Sequence, residues 1–229
     1  NKKKIQLLDK TPNQNKIIMF DIIIFAIKPQ VADKVINEYS NFEFKKNSMI
    51  GSIIAGKRIN FFNTNLKNSK EFVRIMPNMP ALIKNGITCF VPNKYLSKSN
   101  KKKINELFLK VGKTVWLKSE NQIDIATAIS GSGPGYIFTL INAFEKSAQK
   151  IGLSKKLSRE LILPTILGSV KLMEKTKKEP NVLANLIAVK GGTTEAGIKV
   201  LKKNNINKTI YDTFLAAYKK ASNFGKNKW

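Results

Sequence analysis

The hydrophobic pattern changes once, near Leu117, and that change limits the folds open to this chain more than any other feature. Before it, short runs rich in β-branched residues alternate with helical spacings. Ile5–Leu8, Ile22–Ile27, "SMIGSIIAG" (Ser48–Gly56), "KEFVRIMPN", "GITCFV" and "KTVWL" all predict strands. Strands separated by helices predict an α/β domain with a largely parallel sheet. Ile22–Ile27 is nearly all β-branched, the pattern of a strand covered on both faces. "PQVADKVINEYS" places Val31, Val35, Ile36 and Tyr39 at helical spacing, with Pro29 near the first turn. "KSNKKKINELFLKVG" predicts a helix capped by Gly112. After Leu117 no segment has a strand's pattern. Helices are expected over Gly135–Ile151, over Leu157–Lys175 with a kink at Pro164, near Val182–Val189, after "KGGTT", and over Lys208–Asn223. The expected division is therefore residues 1–118, α/β, and residues 119–229, all helical.

Composition removes several function classes. The net charge is +26, but only three of the 41 basic residues are Arg (Arg58, Arg74, Arg159). Arg is the residue that makes bidentate contacts to phosphates and bases, and the lysines are scattered, so no nucleic-acid partner is expected. The longest apolar run, "IIMFDIIIFAI", is interrupted by Asp21 and stops at Lys28-Pro29, too short for a membrane span. "NKKKIQLLDK" does not read as a signal peptide, and the single cysteine, Cys89, fits a reducing cytoplasm. With no histidine and one cysteine, Ser-His and Cys-His nucleophile pairs are excluded, and no metal site is expected. Any enzyme built on this chain must run chemistry that needs little side-chain acid or base.

Two glycine-rich stretches carry the candidate chemistry. "AISGSGPGYIFTL" (Ala128–Leu140) reads alone as a linker, yet Pro134 at a helix start argues against simple flexibility. "KGGTTEAGIKVL" (Lys190–Leu201) puts the N–H groups of Gly191, Gly192, Thr193 and Thr194 at a helix N-terminus, where positive partial charge favours a carboxylate. The alternative there is an ordinary glycine turn with a Thr cap. A dinucleotide-binding G-x-G-x-x-G after the first strand is missing.

Four segments taken in order, "AIKPQ" (Ala26–Gln30), "RIMPNMPALIKNGIT" (Arg74–Thr88), "DIATAISGSGPGYIF" (Asp124–Phe138) and "KGGTTEAGIKVL", resemble the pyrroline-5-carboxylate reductases. The resemblance covers essentially the whole chain. It implies a Rossmann-type N-terminal domain for NADP or NAD, with NADPH favoured, followed by an all-α dimerisation domain. It also implies that the Rossmann-type domain is incomplete at its N-terminus, its first βαβ unit and Gly-rich loop belonging to a segment before Asn1. The activity it implies is reduction of 1-pyrroline-5-carboxylate to L-proline in the cytoplasm by a homodimer or larger homo-oligomer. The alternatives are a truncated, catalytically impaired or non-catalytic member, or a related imine or keto-acid reductase.

Carried over residue by residue, the resemblance places Asn13 (with Asn15 as its alternative), Ala26, Ile27, Lys28, Pro29, Ile53, Ala55, Met76, Pro77 and Asn78 at the cofactor. It places Glu120, Gly191, Gly192, Thr193 and Thr194 at the substrate. No residue is assigned a proton- or bond-transferring role; Thr194 and Ser132 orient. Where the family commonly has Ser-Pro this chain has Val189-Lys190, which removes a hydroxyl contact from position 189 but leaves the backbone cradle. Apolar residues on more than one face of "RELILPTILGSVKLM" predict that a second subunit covers part of that helix.

Overall fold

The structure, a computed structural model, describes residues 5–224. It divides into two compact units: one runs to Ser132 and resumes from Ala216, and the other is Gly133–Leu215.

The first unit begins with a single helical turn, α1 (Gln14–Ile17), and strand β1 (Ile22–Phe25). A 3₁₀ turn over Pro29–Val31 leads into α2 (Ala32–Glu38), followed by β2 (Met49–Ser52), α3 (Ile59–Asn65) and β3 (Glu71–Met76). A second 3₁₀ turn, Met79–Ile83, precedes β4 (Gly86–Pro92), α4 (Lys98–Leu109), β5 (Gly112–Trp116) and α5 (Glu120–Ala126). The five strands form one sheet in the order β1-β2-β3-β4-β5, parallel throughout except between β3 and β4. The largely parallel sheet read from the sequence is therefore present, with one antiparallel pairing.

Alternation along the strands builds two cores. Ile50, Phe72 and Met76 face one layer with Ile36 of α2, Phe62 of α3 and Ile123 of α5. Met49, Val73 and Ile75 face the other, with Phe90 of β4 and Ile104 of α4. β2 and β3, buried at every position, are the strands covered on both faces. The sequence assigned that place to Ile22–Ile27, and the structure corrects it. Ile22, Ile23 and Ile24 are only half-buried, because among the described residues β1 has a ladder partner on one side alone.

Two further expectations need correction. Ile5–Leu8 forms no strand; Ile5 and Leu7 are 73% and 97% exposed, and no ladder partner is present for them among the described residues. Gly112 is not a helix cap. α4 ends at Leu109 with Lys110 as its cap, and Gly112 opens β5 directly opposite Gly86.

The second unit contains α6 (Gly133–Lys150), α7 (Lys155–Thr176), α8 (Pro180–Ile187), α9 (Thr193–Lys203) and the start of α10 (Ile206–Phe224). Pro164 lies inside α7 without ending it. From Ala216 onward α10 belongs to the first unit, where Tyr218 donates to Asn121 Oδ1 at 2.7 Å and Ala221 is buried.

Candidate active site

In the first unit, three parallel strands fix the expected cofactor residues at one end of the sheet. β1, β2 and β3 run in register, Phe25 beside Ser52 and Ser52 beside Arg74, so the chain leaves all three on the same side. Ala26–Pro29 follows β1, Ile53–Ala55 follows β2, and Met76–Asn78 ends and follows β3. The C-terminal ends of parallel strands are where open α/β sheets accept ligands, so these residues fit a dinucleotide. Ala26 and Ile27 also line an open cavity of about 610 Å³ with Thr11, Lys34 and Tyr39. Asn13 does not line it; its side chain caps α1 by accepting from Lys16 N at 3.0 Å.

The "SGSGPG" stretch is neither a linker nor a turn. Residues Thr127–Gly131 continue α5 as a π-helix, closed by Ser132 N donating to Thr127 O at 2.8 Å, and α6 starts at Gly133. None of Gly131, Gly133 and Gly135 has a positive φ. Space does not demand glycine at 131 either, since a Cβ there would make ordinary contact, 3.5 Å from Met76 Sδ. Single π turns inside α-helices occur frequently at functional sites, and here the cause is legible. In an α ladder the Ser130 carbonyl would be met by the N–H four residues on, and that residue is Pro134, which has none. Ser130 O instead accepts from Asn78 Nδ2 at 3.2 Å, and Asn78 Oδ1 accepts from Ile87 N at 2.9 Å. Cys89, buried on the neighbouring β4, has its thiol pushed up by burial, partly offset by a hydrogen bond with Ser130.

Glu120, expected at the substrate, is tied into an ion network in the first unit. Its Oε1 accepts from Ile59 N at 3.0 Å and lies 3.4 Å from Arg74 Nη1. Arg74 also meets Asp124 at 2.7 Å, with both side chains almost completely buried, and Arg58 reaches the second Asp124 oxygen at 3.3 Å. The sequence reading did not single out Asp124. The available signal was the scarcity of arginine: two of only three Arg residues converge on this one carboxylate. A planar guanidinium suits a buried carboxylate better than an ammonium does.

In the second unit, the loop before α9 departs from the expected open cradle. Gly191 has φ +77, the left-handed region glycine supplies, and the turn it makes lets Gly192 N donate to Val189 O at 3.0 Å. Gly191 N donates to Glu195 Oε2 at 2.8 Å. That bond, followed by one with Lys199, holds the Glu195 carboxyl below the ordinary range. The N–H groups of Gly191 and Gly192 are thus spent inside the loop, contrary to expectation. A carboxylate from within the first turn satisfies one, as in a capping box, and a tight turn satisfies the other. Thr193 and Thr194 open α9, so their N–H groups have no intrahelical acceptor.

The profile describing pyrroline-5-carboxylate reductase dimerisation matches residues 120–224. Pyrroline-5-carboxylate reductase 1 of Bacillus subtilis (strain 168) is 33% identical over 216 residues, covering 94% of this chain and 72% of the relative. Among solved structures, Plasmodium falciparum pyrroline carboxylate reductase with NADP bound is similar at a TM-score of 0.86 and 32% identity, covering 94% of this chain and 81% of that one. The Coxiella burnetii pyrroline-5-carboxylate reductase gives a TM-score of 0.86 at 28% identity, covering 95% of this chain and 81% of that one.

Proposed function

The chain belongs to the pyrroline-5-carboxylate reductase family, and from that premise we propose that it reduces 1-pyrroline-5-carboxylate to L-proline in the manner set out here. The observation that carries the reading is the extent of the likeness, which runs through both the sheet-bearing unit and the helical one.

The chemistry agrees with what the chain lacks. A protonated cyclic imine is already electrophilic, so no protein nucleophile is required, and none of the histidine-based pairs is available. When bound, NAD(P)H supplies the hydride. The protein's part is orientation and electrostatics. Residues Ala26–Pro29, Ile53, Ala55 and Met76–Pro77 would hold the cofactor at the ends of the three parallel strands, and Ser132 would orient the reactants. NADP(H) is favoured because the Plasmodium falciparum relative was solved with NADP. A reducing cytoplasm suits the free, buried Cys89. No helix among the described residues is long and apolar enough to cross a membrane.

The substrate carboxylate is assigned to the start of α9, on the N–H groups of Thr193 and Thr194 with the Thr194 hydroxyl as a further donor. A hydrogen bond to a charged group is worth about 1.5–3 kcal/mol, so Thr194→Ala should lower kcat/KM for pyrroline-5-carboxylate about tenfold or more. Cofactor affinity should be nearly unchanged. Initial rates read from loss of reduced-nicotinamide absorbance check this. A variant with intact substrate kinetics and weakened cofactor binding would show that the loop serves the dinucleotide.

Assembly follows from the second unit's surface. α6 and α7 leave Ile137, Phe138, Phe144, Leu161, Leu167 and Val170 exposed, a quantity of apolar surface that monomers seldom present to water. Light scattering at micromolar concentration should give at least a dimer's mass. A monomer's mass would contradict the assignment of this unit to dimerisation.

A further inference from the structure

Asn78 stands at the end of β3, among residues expected to touch the cofactor, but its side-chain amide is engaged elsewhere. It starts the 3₁₀ turn Met79–Ile83 without capping it through its side chain. Instead Oδ1 takes the Ile87 N–H at 2.9 Å and Nδ2 reaches the Ser130 carbonyl at 3.2 Å, fifty-two residues along the chain. Both partners are backbone groups of opposite kind, so the amide has one orientation that satisfies both. The Ser130 carbonyl needs this donor because Pro134 cannot supply the α-helical one. Gly131, the next residue, packs beside Met76, the last residue of β3.

We propose that Asn78 is a positioning residue: it fixes the Ser130–Ser132 backbone against the end of β3 and does not itself hold the cofactor. The inference rests on the reductase reading given above, in which Ser132 and Met76–Pro77 border the reacting groups. A shift of the π turn moves Ser132 and the strand end relative to each other. Catalysis that depends on orientation is sensitive to displacements of that size, with losses reaching about a hundredfold.

Asn78→Asp tests it, since an ionised Asp keeps an acceptor for Ile87 N–H and loses the donor to Ser130 O. In the full-length protein it should lower kcat between about tenfold and a hundredfold, with both KM values within about twofold of wild type. Adding Pro134→Ala supplies an N–H four residues after Ser130 and should return part of that loss, a coupling that general destabilisation would not produce. Independently of turnover, amide exchange across residues 127–136 should quicken about tenfold in Asn78→Asp and slow again in the double variant. If Asn78→Asp does not fold, Asn78→Ser, with a hydroxyl acceptor, is read in the same way. Unchanged exchange, a loss confined to cofactor KM, or an equal loss in single and double variants overturns the proposal. Wild-type protein that fails to turn over pyrroline-5-carboxylate overturns the reductase reading instead, and the exchange measurement still decides the Asn78–Ser130 tie.

Discussion

Asp124→Ala should cost about 3–5 kcal/mol of stability, read as a lower urea midpoint at unchanged slope. Asp124 and Arg74 are 1% and 2% exposed at their side chains and meet at 2.7 Å. Removing the carboxylate leaves the Arg74 guanidinium buried with only Glu120, at 3.4 Å, to balance it. An uncompensated buried charge is the expensive case, and Arg74 Nε already lacks a hydrogen-bond partner. The network also ties α5 to β3 and, through Ile59 N on Glu120, to the start of α3. The loss should therefore spread across that layer. Asp124→Asn, which keeps the shape and one acceptor, should cost less than the alanine. A loss below about 1 kcal/mol for Asp124→Ala would show that relaxation or water replaces the carboxylate.

Gly112→Ala should be nearly as damaging, about 3 kcal/mol or more, by a different route. Gly112 has φ +145, where a side chain is strained, and a Cβ would lie 1.9 Å from the Gly86 carbonyl oxygen. Backbone strain of this kind costs about 1–3 kcal/mol, and overpacking adds about 1–3 kcal/mol. The obstacle is backbone in a ladder, so it cannot swing aside as a side chain would. Gly86 is the paired residue, and a Cβ there would be 2.8 Å from Ala81 Cα. By contrast, the atom closest to a Cβ at Gly51 is the tip of Ile75, also at 2.8 Å, a side-chain methyl group rather than backbone. Gly51→Ala should therefore be milder in the same urea titration. Equal midpoints for Gly112→Ala and wild type would mean that β5 can start one residue later without cost.

The placement of much of the candidate site was legible because its positions follow from local pattern. Strand ends at Phe25, Ser52 and Met76 come from β-branched runs stopped by Lys28-Pro29, Gly56 and Pro77, and parallel strands carry such ends to one side. The start of α9 was readable for the same reason: Gly-Gly-Thr-Thr ahead of an amphipathic run is a local helix-start signal. What the reading of that loop lacked was the state of its N–H groups. The Glu195 carboxylate that takes Gly191 N sits only four residues away, a spacing that a capping-box search could have detected.

The sequence by itself determined the order of the two architectures, the helical rather than strand character of the elements described after Leu117, and the chemistry that a chain without histidine cannot perform. These are matters of periodicity and residue inventory, which need no knowledge of what lies beside what. Only the tertiary structure decided which strands are covered on both faces, why Gly112 must be glycine, and that "SGSGPG" runs from a π-helix into α6 with its Ser130 carbonyl held by Asn78. It alone brought Arg58 and Arg74 onto Asp124, across 66 and 50 residues. In each case the deciding interaction joins segments far apart in the chain. A glycine required by a neighbouring strand, or a carbonyl orphaned by a proline and met by a distant amide, leaves no periodicity in the sequence to reveal its partner.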